Sequence, residues 1–462
     1  MKFRFKNLGP ITQADLELGD LTIIAGRNNT GKTYIAYALY GFLKRWDWSA
    51  VTVHAESHQG IRRVVCSLAS EAADKGHARS VVGRQTFDRH RSDLAEDVTL
   101  PFAKSELASV FGSRSDYFRD AMVELISGLP MDAPPLEARS WFGHRYRVEY
   151  EKDEIVISVD SADRRRVETD KHIPILYETY FRSLFPEFAI DPFVLSSERF
   201  GISLFYRELD FTKNQVVDLL RKVSEESTRP RSDLFLLLNS TTSRYALPVK
   251  DNVDYTRSIP DLQDQQSELS QHRLSTKLRR LTDAYYKVVG DSISITSTPR
   301  GSRGFNIPMY LASSSVRGLS DLYFFLQHVA APNHLLIIDE PESHLDTHNQ
   351  ILMARLLVRC VHAGLKVLIT THSDYFVKEL NNLIMMSRDF HGKEDMLKRF
   401  KYDHEDTLDP ALIRAYIAED GKLTACSVDK YGMEMPNFDS TIDDINQVAN
   451  EVSSRILETD GL

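Results

Sequence analysis

Hydrophobic and polar positions alternate over residues 2–6 and again over 11–18, on either side of a Leu8-Gly9-Pro10 turn. This pattern predicts a pair of strands at the start of the chain. Leu21-Thr22-Ile23-Ile24-Ala25 is continuously apolar or β-branched, as a strand covered on both faces is. Just downstream, Ile35, Ala38, Leu39, Phe42, Leu43 and Trp46 recur at helical spacing. Residues 50–190 are more charged and less periodic. Within them His144–Val159 reads as a hairpin turning near Glu151-Lys152-Asp153, and 173–185 as a helix. Residues 261–288 read as one polar-faced helix. At roughly 1.5 Å per residue it spans about 40 Å, too short for a long coiled-coil arm. From residue 291 the pattern sharpens: strands at Ser292–Ser297, Phe305–Ala312, Leu335–Ile338 and Lys366–Thr370, helices at 316–329 and 348–363. The strand, helix, strand order from 335 to 370 predicts a right-handed crossover and a parallel sheet.

Composition adds bounds. The chain has 462 residues, 42% hydrophobic and 27% charged, an ordinary globular balance with length for about two to four domains. The formal net charge of -9 argues against a wholly basic nucleic-acid-binding domain. Cys66, Cys360 and Cys426 are too scattered for a disulfide framework or structural zinc site. The N-terminus lacks the apolar core of a signal peptide, and no apolar run approaches the ~20 residues of a membrane span. A cytoplasmic protein is expected.

Three segments carry chemistry. Gly26-Arg27-Asn28-Asn29-Thr30-Gly31-Lys32-Thr33 matches G-x-x-x-x-G-K-[ST] between an apolar strand and an amphipathic helix. Its glycines let backbone N–H groups close around phosphate. Lys32 supplies charge, the Thr33 hydroxyl can ligate magnesium, and the helix N-terminus adds its dipole. Leu335–Ile338 runs into Asp339-Glu340, two acids at the C-terminal end of a strand, where α/β sheets bind ligands. Asp339 is suited to hold magnesium, and Glu340 to orient and deprotonate water. Thr370-Thr371-His372 ends the next strand, so His372 shares that sheet edge and can reach a γ-phosphate or the attacking water.

These segments, with Asp339-Glu340-Pro341-Glu342-Ser343-His344-Leu345-Asp346 and Thr371-His372-Ser373, resemble an ABC-class ATPase of the SMC/RecF/OLD branch. The resemblance covers residues 1–47 and 290–385. It implies an α/β fold: an ABC-type P-loop ATPase head with a mixed N-terminal lobe, a parallel core sheet flanked by helices, and a mainly helical insertion. Residues 1–50 and 290–385 are then the ATPase core. Residues 51–289 are an inserted arm, interface or sensing lobe, and 386–462 an extension completing the ATPase lobe. The resemblance also implies a signature segment that touches the nucleotide of a partner subunit. Leu311-Ala312-Ser313-Ser314-Ser315-Val316-Arg317-Gly318 holds that place without the usual glycine pair. Ser314 is the favoured contact with Ser313 and Ser315 beside it, and a simple helix N-cap is the alternative. The segment ending at Asp346 would cross the same interface. Ser196-Ser197-Glu198-Arg199-Phe200-Gly201 resembles an arginine loop of this branch, with Arg199 a phosphate or interface contact or a surface ion pair.

The implied ligands are ATP and magnesium. The implied assembly is a homodimer with two sandwiched ATP molecules, or a larger homo-oligomer built on it. The chain further resembles ATPase subunits of Septu-, PARIS- or retron-associated antiphage systems, which regulate a separately encoded effector, often a nuclease or toxin. The roughly 90 residues after His372 leave little room for a TOPRIM nuclease domain, and Asp439, Asp443 and Asp444 read as a solvated helix start. The alternative is a DNA-repair ATPase that binds DNA through Arg62-Arg63, Arg84–Arg91, Arg164-Arg165-Arg166 and Arg279-Arg280.

Overall fold

A computed structural model describes residues 1–45, 58–126, 135–139, 144–161, 169–206, 245–297, 305–435, 447–448 and 450–452. Trp46, Arg164-Arg165-Arg166, and Asp439, Asp443 and Asp444 lie outside the described residues. The chain opens with β1 (Lys2–Leu8), β2 (Ile11–Glu17), β3 (Leu21–Ala25) and α1 (Lys32–Lys44). It divides into two compact units, Met1–Glu17 with Ala38–Pro192, and Leu18–Tyr37 with Phe193–Leu462, so the division runs through α1.

In the first unit, β1 and β2 form the predicted antiparallel hairpin, Leu8 opposite Ile11 across a turn where Gly9 takes φ 57°. After α1 come α2 (Gln59–Lys75), β4 (His77–Gly83), α3 (Arg84–Pro101), α4 (Leu107–Val110) and β5 (Met122–Leu125). Then follow β6 (Leu136–Arg139), β7 (His144–Tyr150), β8 (Glu154–Ser161) and α5 (Thr169–Leu184). Strand β5 pairs antiparallel with β1, and a separate sheet runs β4-β8-β7-β6. The predicted hairpin is β7-β8, with Tyr150 opposite Ile155. Phe3, Phe42, Phe102 and Phe188 pack their rings together at the core. Burying such aromatic area removes a large apolar surface from water.

In the second unit, β9 (Pro192–Leu195), α6 (Leu247–Ser258), α7 (Leu274–Thr282), β10 (Ala284–Val289), β11 (Ser292–Ser297) and β12 (Phe305–Pro308) precede α8 (Ser314–Gly318) and α9 (Ser320–Phe324). The stretch that carries the acidic pair and His372 follows as β13 (Leu335–Asp339), α10 (Thr347–His362), β14 (Lys366–Thr371), α11 (Asp374–Met385) and α12 (Lys393–Phe400). Strands β15 (Ile413–Glu419), β16 (Lys422–Ala425), β17 (Val428–Asp429) and β18 (Gly432–Met433) close the described order. The main sheet of this unit runs β16-β15-β3-β14-β13-β9. Strands β15, β3, β14 and β13 are parallel neighbours and β16 is antiparallel, so the sheet is mixed. Strands β3 and β13 are buried at every position, which explains their unbroken apolar runs.

Two expectations are corrected. Residues 261–288 do not form one helix: α7 is bounded by Arg273 and Asp283, both left-handed (φ 51° and 47°), and Ala284–Val289 is a strand. A non-glycine residue in that conformation ends a right-handed helix. The predicted strand Phe305–Ala312 stops at Pro308, where a 3-10 turn over Met309–Leu311 begins. Among the described residues no helix is long and apolar enough to cross a membrane.

Candidate functional site

Parallel register gathers the predicted residues on one sheet edge. Ala25 lies opposite Thr371, and Asp339 opposite Thr370, so the loop after β3, the acids after β13 and His372 after β14 emerge at the same ends. Gly26 (φ 150°) and Gly31 (φ 91°) take angles that glycine accommodates, and Asn29 is left-handed at φ 65°. A Cβ on Gly26 would lie 2.5 Å from the Ala418 carbonyl oxygen on β15. Thr30 Oγ1 donates to the Arg27 carbonyl at 2.9 Å, closing the loop around Asn28 and Asn29. Lys32 is buried and folds back, Nζ donating to the Gly26 and Arg27 carbonyls at 2.8 and 2.7 Å. Burial lowers its pKa, while the charges of Glu340, Asp339 and Glu342 oppose that shift.

Thr33 Oγ1 donates to both carboxylate oxygens of Asp339 at 3.1 Å. Thr370 Oγ1 donates to the same carboxylate from the adjacent strand. Asp339 is 1% exposed, and burial raises its pKa against these hydrogen bonds. Hydroxyl and carboxylate oxygens side by side form a hard donor set that fits magnesium better than a soft metal. Among the described residues no group of three or more His, Cys, Asp or Glu is arranged to hold a metal by itself.

Glu340 is left-handed at φ 52°, and its N–H donates to the Thr370 carbonyl at 3.1 Å. Ser343 Oγ donates to its Oε2 at 2.9 Å, and His372 Nδ1 lies 3.6 Å from its Oε1. His372 beside it holds the Glu340 carboxyl down to about 2, and contact with Glu340 in turn raises the His372 pKa. Glu342 is a further site residue that the periodicity did not single out. Its buried Oε1 accepts from Thr371 Oγ1 and from His372 N, each at 2.7 Å, and lies 3.3 Å from His372 Nδ1. Glu342 thereby sets the backbone and ring position of His372. Its other oxygen, Oε2, is buried without a hydrogen-bond partner.

Arg199 is neither a surface ion pair nor an exposed contact. It is 2% exposed, with Nη1 donating to the Ser196 and Asp339 carbonyls and Nη2 to the Glu340 carbonyl. Ser313 is the N-cap of α8, accepting from Val316 N at 3.4 Å, and its hydroxyl lies 3.0 Å from that of Ser315. Ser314 is the first residue of α8. Asp346 caps α10, one oxygen accepting from Asn349 N at 3.0 Å and the other from Asn349 Nδ2 at 2.8 Å. The structure thus joins Gly26–Thr33, Asp339, Glu340 and His372 in one cluster, whereas the bonds of Ser313, Ser315 and Asp346 are local.

A mixed sheet whose parallel strands include one that runs through a glycine loop into a helix and another that ends in an acidic pair has the architecture of a P-loop ATPase. The profile of a family described as "AAA domain, putative AbiEii toxin, Type IV TA system" matches residues 157–378. No curated protein matches the sequence. Among solved structures, the chain is similar to an Smc head bound to the C-winged helix domain of ScpA: 14% identity, covering 93% of this chain and 98% of that one, TM-score 0.34. It is also similar to a Pyrococcus furiosus Smc head with an extended coiled coil: 13% identity, 98% of each chain, TM-score 0.31. The SMC head domain from Thermotoga maritima is 11% identical, with 93% of this chain and 98% of that chain covered, TM-score 0.29.

Proposed function

We propose that the protein binds and hydrolyses ATP as a molecular switch, assembles through ATP-sandwiched dimers, and regulates a separately encoded effector in bacterial antiphage defence. The observation that carries the catalytic part is the cluster of Lys32, Thr33, Asp339, Glu340 and His372 on one sheet edge. In this reading the backbone N–H groups of Gly26–Thr33 cradle the phosphates, and Lys32 moves from the loop carbonyls to the β/γ-phosphate oxygens. Thr33 and Asp339 would hold magnesium, which when bound offsets phosphate charge. Glu340 orients a water in line with the γ-phosphorus and takes its proton. The new oxygen–phosphorus bond forms as the bond to ADP breaks, releasing phosphate. His372, steadied by Glu342, donates a hydrogen bond to the γ-phosphate or the water.

The switch reading assigns Ser313, Ser314, Ser315 and Asp346 to the partner subunit's nucleotide. A γ-phosphate touched from both sides gives the differential contact that a population shift needs. The family description naming a toxin and a type IV toxin–antitoxin system supports a nuclease or toxin as the regulated effector. The test is ATP-dependent assembly, read by light scattering of wild type and Lys32→Ala. Wild type should associate on adding Mg-ATP and the variant should not, having lost nucleotide affinity. Equal ATP affinity in both would refute the site assignment.

A DNA-repair ATPase is the second reading. Arg91 does not serve it, being buried against Glu187 and the Leu184 carbonyl, and Arg84 pairs with Asp88. Arg62 and Arg63 on α2 are exposed and could meet phosphate. Duplex binding that falls steeply with salt and is lost in Arg62→Ala/Arg63→Ala would favour this reading.

A further inference from the structure

We propose that Arg199 and Phe200 are positioning residues: they hold Glu340 in its working conformation and tie that conformation to helix α8. This inference rests on the ATP-hydrolysing reading above. It begins with backbone strain. Glu340 (φ 52°) and His344 (φ 59°) both occupy the left-handed region, although each carries a Cβ. A turn of this kind persists only where its surroundings over-determine it.

Arg199 supplies the restraint. Its Nη1 donates to the Asp339 carbonyl and its Nη2 to the Glu340 carbonyl, both at 2.7 Å. The first carbonyl belongs to the peptide plane before the Glu340 Cα, the second to the plane after it. One planar fork therefore grips both planes, and so restricts φ and ψ of Glu340 together. Glu340 N completes the restraint by donating to Thr370 Oγ1 at 3.2 Å. The buried guanidinium bears on where the Glu340 carboxylate points without touching it through a hydrogen bond.

Phe200 extends the connection. The Arg199 guanidinium lies 4.5 Å from the Phe200 ring centroid, and that ring lies 4.1 Å from the His344 ring. The ring also abuts Gly318, the last residue of α8, so closely that a Cβ there would fall 1.9 Å from a ring carbon. Glycine at 318 is thus required by the approach of Phe200. The same segment reaches the phosphate-loop helix, where Tyr37 Oη donates to Glu198 Oε2 at 3.1 Å. It is anchored to α6 by Ser196 N, which donates to Asn252 Oδ1 at 2.8 Å. Ser196–Phe200 therefore touches α1, the Glu340 turn, the His344 turn and α8. A displacement of α8, the helix that starts at Ser314, is transmitted to Glu340 through one aromatic ring and one guanidinium.

The test separates binding from turnover in the full chain. Arg199→Lys keeps the charge but cannot grip two carbonyls with a planar fork. Its kcat should fall about 10- to 100-fold, as a small misplacement of a reacting group does, with affinity for a non-hydrolysable ATP analogue near wild type. Phe200→Ala and Gly318→Ala should each lower kcat, and the double variant should be no slower than Phe200→Ala alone, because the added methyl then meets no ring. Wild-type kcat in Arg199→Lys, or analogue affinity falling in step with kcat, would overturn the proposal. So would additive losses in the Phe200/Gly318 pair, which decides the matter if Arg199→Lys does not fold. If wild type itself shows no turnover, the ATPase reading fails and this inference falls with it.

Discussion

Glu340→Gln isolates the role assigned to the carboxylate. Glutamine keeps the shape and an acceptor for Ser343 Oγ, but it cannot take a proton or attract the His372 imidazole as an anion. The structure bounds the expected loss. General-base removal costs about 10²- to 10⁴-fold. A carboxyl held down to about 2 is ionised throughout the neutral range but accepts a proton weakly, so orientation of the water is its larger contribution. That places the loss near the lower end, about 10²- to 10³-fold in kcat, or about 2.7–4.1 kcal/mol. Steady-state phosphate release measures it, and equilibrium ATP binding should be retained.

The same substitution has a second readout. A carboxyl lowered from 4.5 to about 2 carries about 3 kcal/mol of differential stabilisation, cut to roughly 1–2 kcal/mol by solvent around a side chain 29% exposed. The sign is that of a depressed carboxylate: the stabilisation is present above its ordinary pKa and lost as pH falls through about 2. Glu340→Gln should therefore melt lower than wild type at neutral pH. Glu340 is also the main cause of the raised His372 pKa, so the His372 titration followed by NMR should fall toward 6.5 in the variant. Turnover within about a factor of three of wild type would refute Glu340 as the base. An unmoved His372 titration would refute the pairing.

Three further outcomes are expected. Gly26→Ala should cost about 1–3 kcal/mol, since its Cβ meets the Ala418 carbonyl at a backbone angle suited to glycine, and thermal melting should show the loss together with weakened ATP binding; an unchanged melt would contradict the loop geometry. The His372 pKa is raised in the folded state, so its contribution is fully present below about pH 6.5 and lost as pH rises through the folded value. The melting difference between wild type and His372→Gln should therefore shrink as pH rises from 6.5 through the higher folded pKa, and a constant difference would count against it. Asp346→Ala should lower stability by about 1 kcal/mol through loss of the α10 cap, with Asp346→Asn largely spared; chemical denaturation that treats the two alike would exclude capping.

The reach of sequence reading follows from which interactions leave a periodic trace. Strands β3, β13 and β14 are buried on both faces, so their apolar runs are continuous and their ends coincide with Gly26, Asp339-Glu340 and Thr371-His372. Once β13-α10-β14 is recognised as a parallel unit, the shared sheet edge follows from chain order alone. Strand β10 was hidden because Asp283 turns the chain at φ 47° inside an otherwise helix-compatible stretch. Strand β4 was hidden because His77-Ala78-Arg79-Ser80 gives too little apolar alternation to mark a strand. Glu342 sits in a turn, buried, and its hydrogen bonds go to Thr371 at the end of β14 and to His372 just beyond it. Arg199 is the extreme case. Its partners are main-chain carbonyls 140 and 141 residues away, which any residue type could supply, so no complementary side chain marks the pairing. The feature that this arginine meets is the left-handed backbone of Glu340 at the end of β13, which no pattern within Ser196–Phe200 announces.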